Sequence, residues 1–152
     1  NIMAYLATHQ HSLHAHEIPK ERKDVRILVV DDDDLTRHLL GLALNGWGCE
    51  CVEAENGRIA LEKLEINPVD LVISDQQMPI MTGTEFITEL HSRHKECSPP
   101  VILMSGDNHP ELQNNARELG VEAFFRKPYQ METLLQTLES ILDNRRTHAF
   151  VN

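Results

Sequence analysis

Five positions carry the chemistry in this sequence, and each closes a short apolar run. Asp31 and Asp32 follow Ile27 to Val30, and Asp75 follows Leu71 to Ser74. Ser105 follows Val101 to Met104, and Lys127 follows Ala123 to Arg126 and precedes Pro128. Three carboxylates brought together repel one another and resist ionisation until a cation neutralises them. A ligand set made only of oxygen favours a hard ion, Mg²⁺ first, which keeps some of its waters and readily holds a phosphate as well. An amine beside such a site supplies a second positive charge for phosphoryl oxygens, and a serine hydroxyl supplies a donor. Together these groups can place a phosphoryl group on a carboxylate, by positioning and by charge neutralisation. Whether the five groups meet depends on the elements that carry them.

Up to Asp24 the chain is polar and weakly periodic, with His9, His11, His14 and His16 in two His-x-His pairs. Such pairs suit a transition metal, but a polar tail or linker over residues 1–24 is the simpler expectation. From Val25 the pattern changes to apolar runs alternating with helical stretches. Val25 to Val30 is a continuous run of the kind that forms a strand buried on both faces. Leu35, Leu39, Leu42 and Ala43 recur at helical spacing and predict the buried face of a first helix, which Asn45 and Gly46 stop. Cys49 to Glu53 is a shorter, more polar strand suited to a sheet edge. Asn56 and Gly57 open a helix through Leu61 and Leu64 that ends near Asn67 and Pro68. Val69 to Ser74 is a third strand. A loop with Pro79 and Gly83 leads to a helix with Phe86, Ile87 and Leu90. Val101 to Met104 is a fourth strand, followed by a helix with Leu112, Ala116 and Leu119 that Gly120 closes. Ala123 to Arg126 is a fifth strand. Met131, Leu134, Leu135, Leu138, Ile141 and Leu142 mark a last amphipathic helix. Five βα units in series require a parallel sheet covered by helices on both faces through right-handed crossovers. The expected architecture is one doubly wound α/β domain over residues 25–146, with a short tail over 147–152. Ligands of such folds bind outside the carboxyl ends of the strands, which is where the five groups fall.

Runs 27–32 (Ile-Leu-Val-Val-Asp-Asp) and 75–79 (Asp-Gln-Gln-Met-Pro), with Gly83, Met104-Ser105-Gly106 and Lys127-Pro128, resemble the receiver domains of bacterial two-component response regulators. Glu55-Asn56-Gly57 before Ala60-Leu61 resembles them too, and the match spans about Asp24 to Arg145. The resemblance implies a flavodoxin-like (βα)5 fold with strand order 2-1-3-4-5. It also implies a Mg²⁺-dependent phosphoacceptor role for Asp75, with Mn²⁺ a substitute. Asp31, Asp32, Asp75 and the backbone carbonyl of Gln77 would be the metal ligands. Lys127 would contact the phosphoryl group, and Ser105 would bond one of its oxygens and draw its loop inward. Phe124 would be the switch aromatic, and Pro128 would follow a cis peptide bond that aims Lys127. Gln77 and Asp107 would sit over the path of the water that removes the phosphate. The implied phosphodonor is a sensor histidine kinase or a histidine phosphotransfer protein. The output partner stays open, and the fourth helix, fifth strand and fifth helix are the implied face for self-association.

Acidic residues after a strand are commonly helix caps, and Asp33 or Asp34 is expected to cap the first helix. Gln76 reads as an exposed polar residue, Ser105 taken alone as a turn serine and Lys127 alone as a surface lysine. Asp32-x-Asp34-x-Thr36 matches the nucleophile motif of haloacid-dehalogenase-like phosphatases. That reading lacks a later acidic pair at a strand end, since only Glu132 follows the lysine, and leaves Asp75 unexplained. A calcium loop fails for want of a glycine at its sixth position. A receiver module inside a hybrid kinase or multidomain regulator remains compatible with every residue named. A net charge of −10 argues against a nucleic-acid surface. No apolar run is long enough to span a bilayer, and Cys49, Cys51 and Cys97 lack metal-ligand spacing. Reduced thiols in a cytoplasmic signalling domain, rather than an enzyme, are the plain expectation.

Overall fold

A computed structural model describes residues 2–3, 22–107 and 109–149 of the 152-residue chain. From Arg26 its strands and α-helices alternate. They are β1 (Arg26–Val30), α1 (Asp34–Gly46), β2 (Glu50–Ala54), α2 (Gly57–Ile66), β3 (Leu71–Asp75) and α3 (Gly83–His94). After a short 3-10 turn at Lys95–Cys97 come β4 (Val101–Ser105), α4 (Pro110–Glu118), β5 (Ala123–Arg126) and α5 (Met131–Ala149). The strands pair in parallel in the order β2-β1-β3-β4-β5. The two central strands β3 and β4 are buried along their whole length, as continuous apolar runs require. β2 lies at an edge and is partly exposed.

Alternate residues of each strand feed opposite faces of the sheet. Ile27, Val29, Ile73, Ile102 and Met104 face α1 and α5, where Met131, Leu134, Leu135, Leu138, Ile141 and Leu142 complete the layer. Leu28, Val30, Val72, Val101 and Leu103 face α2, α3 and α4, against Leu61, Leu64, Phe86, Ile87, Leu90 and Ala116. The starts of α1, α2 and α3 are capped by their own sequence. Asp33 accepts from the Thr36 backbone amide at 3.0 Å, and Asn56 from Ile59 at 2.9 Å. Thr82 and Glu85 close a capping box at α3.

One expected face is corrected. Leu35 and Leu42 are 67% and 46% exposed, whereas Leu40, Gly41, Ala43 and Leu44 are the buried residues of α1. Residues 39–44 are apolar almost throughout, so helical spacing alone admits two faces about 100° apart. The sheet selects the one that ends in Trp47, which also packs on this core. The helix also runs through Asn45 and Gly46, and the left-handed backbone of Gly48 (φ 101°) makes the turn into β2. Arg22 lies over the Trp47 ring at 3.9 Å and pairs with Glu139 at 2.6 Å, so contacts to the domain begin before Val25. The four tail histidines and residues 150–152 lie outside the described residues.

Candidate phosphoacceptor and metal site

The carboxyl ends of β1, β3, β4 and β5 are neighbours, and the backbone links them. Gln76 N donates to Met104 O at 2.8 Å, and Lys127 N donates to Ser105 O at 2.8 Å. The side chains of Asp75, Asp31 and Lys127 therefore meet. Lys127 Nζ stands 3.2 Å from Asp75 Oδ1 and 3.3 Å from Asp31 Oδ2. A carboxylate oxygen from each of Asp31, Asp32 and Asp75 lies within 4.8 Å of the others. Asp31 and Asp75 are buried, 6% and 8% exposed, while Asp32 opens to solvent.

Asp31 is fixed through its side chain and its backbone, and Asp75 through its backbone. Asp31 N donates to Ala54 O on the neighbouring strand at 3.1 Å. Asp31 Oδ1 accepts from Asp33 N at 2.9 Å, and its carbonyl accepts from the Arg37 guanidinium at 2.7 Å. The Asp75 carbonyl accepts the Ser74 hydroxyl at 2.9 Å. Gly83 leaves room for that carbonyl, since a Cβ there would stand 2.5 Å from it and 2.7 Å from Leu103 Cδ1. Gln76, expected to be an exposed polar residue, is half-buried and acts as a brace. Its Oε1 accepts from Thr84 N at 2.9 Å and its Nε2 meets Thr84 Oγ1 at 3.2 Å. With Gly83 N donating to Gln76 O at 3.0 Å, these bonds tie the loop after Asp75 to the start of α3. Only the Thr at 84, eight residues on, hinted at it.

Burial pushes the Asp75 carboxyl above its ordinary value. The Lys127 ammonium opposes that shift, and the Asp31 charge adds to it. Burial alone would lower the Lys127 ammonium, but Asp31 and Asp75 outweigh it and hold the group above its usual range. The cluster thus carries more negative charge than one amine neutralises. An oxygen-only set with this charge fits a divalent hard cation, Mg²⁺ in particular.

The remaining expected residues take these places. Ser105 is fully buried at the end of β4, and its Oγ accepts from Asp107 N at 3.0 Å. That bond uses a lone pair and leaves the hydroxyl proton for another acceptor. Gln77 is exposed. The Asp107 carboxylate accepts from His109 N at 3.2 Å and stands 3.7 Å from His109 Nε2. The Lys127–Pro128 peptide is cis. Phe124 is half-buried, packs on the α2, α3 and α4 side of the sheet and borders a cleft with Gln113, Ala116, Arg117 and Val121. The phosphatase reading gains nothing. Asp33 caps α1, and Asp34 is exposed and pairs with Arg37 at 2.6 Å. Tyr129, which nothing in the sequence singled out, borders the site from the α1 and α5 side, in a cleft with Leu35, Leu39 and Lys127.

Comparison with known proteins agrees with this geometry. Residues 27–139 match the family model of the response regulator receiver domain. A cyclic di-GMP phosphodiesterase of Thermotoga maritima is 32% identical over 126 residues, covering 83% of this chain and 33% of that protein. The CAI-1 autoinducer sensor kinase/phosphatase CqsS of Vibrio cholerae is 34% identical, covering 82% of this chain and 18% of that protein. The chain therefore spans a third or less of the length of these two curated relatives. Among solved structures, the Vibrio cholerae chemotaxis protein CheY4 superposes with a TM-score of 0.72 at 32% identity, covering 78% of this chain and 98% of that one. The response regulator TrrA of Thermotoga maritima, in complex with Mg²⁺-BeF, gives 0.69 at 31% identity, covering 78% and 99%.

Proposed function

The chain belongs to the response regulator receiver domain family of two-component systems, and from that premise we propose that it accepts a phosphoryl group from a phospho-histidine onto Asp75. The observation that carries the reading is the Lys127 ammonium within 3.3 Å of both Asp75 and Asp31, at a rim where Asp32 adds a third carboxylate. A carboxylate oxygen of Asp75 attacks phosphorus and the P–N bond breaks. The departing imidazole keeps the electron pair and takes its proton from solvent. Asp31, Asp32, Asp75 and the Gln77 carbonyl would hold Mg²⁺, with Mn²⁺ the natural substitute for an oxygen-only set. When bound, the ion neutralises the charge that accumulates on the transferring group. Lys127 holds phosphoryl oxygens from the other side. Ser105, whose proton is uncommitted by the bond to Asp107, donates to the phosphoryl group after transfer.

The domain is a signalling element whose product is a conformation. It works in the cytoplasm, as residues 25–146 of the chain, with a sensor histidine kinase or histidine phosphotransfer protein as donor. Drawing Ser105 toward the phosphate moves the loop to Asp107 and lets Phe124 turn inward beside α4. The face built from α4, β5 and α5 then changes its affinity for a partner or for a second copy. Gln77 and Asp107 set the lifetime of the phosphate from above the acceptor. A module within a longer signalling protein is a second reading, favoured by the fraction of CqsS and of the phosphodiesterase that the chain spans.

Incubation with acetyl phosphate tests the reading. Phosphoprotein should accumulate with Mg²⁺ and fail to form with EDTA. Formation at the same rate without a divalent ion would remove the metal from the account.

A further inference from the structure

The segment that precedes β1 returns to the site. Ile2 is partly buried, packs against the core that α1 and α5 share, and lines a cleft with Leu35, Leu39, Lys127, Pro128 and Tyr129. Leu35 and Leu39 lie one turn apart on α1, and neither belongs to the buried face that meets the sheet. Their apolar stripe borders the cleft instead. Tyr129 adds another wall. Its ring meets Phe125 edge-on with centroids 6.0 Å apart, and its hydroxyl is shielded from solvent without a hydrogen-bond partner among the described residues. The cleft therefore offers its occupant apolar surface, and an isoleucine suits it.

The chain reaches that far with ease. Arg22 is held by Trp47 and Glu139. Trp47 ends α1, so this anchor lies at the end of the sheet opposite the site. Residues 3–21 can span up to roughly 65 Å when extended, whereas the five residues of β1 cover about 17 Å. Residues 2–6 (Ile-Met-Ala-Tyr-Leu) are an apolar stretch in an otherwise polar segment. A tether of this length presents Ile2 to the cleft at an effective concentration on the order of millimolar. One apolar anchor is then enough to occupy the cleft, and a protein partner can still displace it.

Lys127 joins the cleft to the chemistry. It lines the cleft while its Nζ stands 3.2 Å from Asp75 Oδ1. The helix α1 starts at Asp34, directly after the exposed Asp32 and Asp33. A protein that brings a phospho-imidazole to Asp75 has to lay its surface over this rim, where Ile2 already sits. Resting on the phosphoacceptor reading of Asp75, we propose that the segment before β1 is an autoinhibitory plug: Ile2 fills the cleft beside Lys127 and hinders a protein phosphodonor, but not a small one.

Ile2→Ser in the full chain tests the plug, with Ile2→Leu as the conservative variant. Labelling of Asp75 is followed with two donors, acetyl phosphate and a phosphorylated histidine phosphotransfer domain. With acetyl phosphate, all three proteins should label within about twofold of one another. With the protein donor, Ile2→Ser should label on the order of tenfold faster than the parent, as expected for losing part of the burial of one isoleucine. Ile2→Leu should stay close to the parent. Occupancy is read separately from isoleucine methyl resonances. The signal lost in Ile2→Val belongs to Ile2 and should show cross-peaks to Leu39 or to the Tyr129 ring. No gain for Ile2→Ser with the protein donor overturns the proposal. An equal gain with both donors overturns it too, since the substitution would then act on the site itself, and so does an Ile2 methyl without cross-peaks to the cleft. If acetyl phosphate and Mg²⁺ label Asp75 in none of the proteins, the phosphoacceptor reading falls and the plug with it.

Discussion

The Lys127 ammonium lies 3.2 Å from Asp75 Oδ1, so the residue that would receive the phosphate is paired with the residue that would hold it. The pairing is incomplete as a balance of charge, because Asp31 shares the same amine. Burial still leaves the Asp75 carboxyl raised. A raised carboxyl contributes stability that is fully present below its unfolded value of 3.8 and is lost as pH rises through the native value. Burial of the Asp75 charge therefore costs the fold stability as pH rises.

Asp75→Asn removes that charge and should raise the melting temperature at pH 7 without Mg²⁺ by roughly 2–5 °C. The gain should shrink as pH falls toward 4. Mg²⁺ should stabilise the variant less than the parent. Calorimetry at two pH values, with and without the ion, measures all three. A variant that melts lower than the parent at pH 7 would mean that the lost bond to Lys127 outweighs the relieved burial.

Gly83→Ala should be disproportionately damaging for one methyl group. The new Cβ would meet the Asp75 carbonyl at 2.5 Å and the Leu103 side chain at 2.7 Å. Backbone cannot step aside as a flexible side chain can, so we expect a loss of about 3 kcal/mol or more. Denaturant titration gives the figure, and a loss within 1 kcal/mol of the parent would show that the acceptor loop yields freely. Because the carbonyl belongs to the acceptor, labelling with acetyl phosphate should slow as well.

Ser105→Ala separates acceptance from response. The described bond of its hydroxyl goes to Asp107 N. The variant should take up phosphate at a rate within about threefold of the parent, under 1 kcal/mol of barrier. It should nonetheless show little change around Phe124 when beryllofluoride is added. Amide hydrogen exchange across α4 and β5 reports that change. Parent-like exchange changes in the variant would disconnect Ser105 from Phe124.

Most of the positions that matter were legible because they end apolar runs. A strand buried on both faces announces itself by composition, and the residue that follows it sits at the rim by topology alone. Asp31, Asp75, Ser105 and Lys127 reach the rim in that way, each at or just after the end of a strand. The face of α1 was misread because residues 39–44 are apolar on every side, and only packing against the sheet chooses among them. Gln76 was undervalued for a different reason. Its partner Thr84 lies across a loop, and no spacing rule foretells which polar residue a loop will fold back upon. Tyr129 escaped notice because an aromatic after a strand reads as core, which its ring is; the unpartnered hydroxyl is visible only in three dimensions.

The account turns on which carboxylate becomes the acyl phosphate. The protein should be labelled with acetyl phosphate and Mg²⁺, the product trapped by reduction with borohydride, and the modified residue located by peptide mass spectrometry. The account predicts modification at Asp75 alone and none in Asp75→Asn. Modification at Asp32 or Asp34 in the parent, or undiminished labelling of Asp75→Asn, would contradict it.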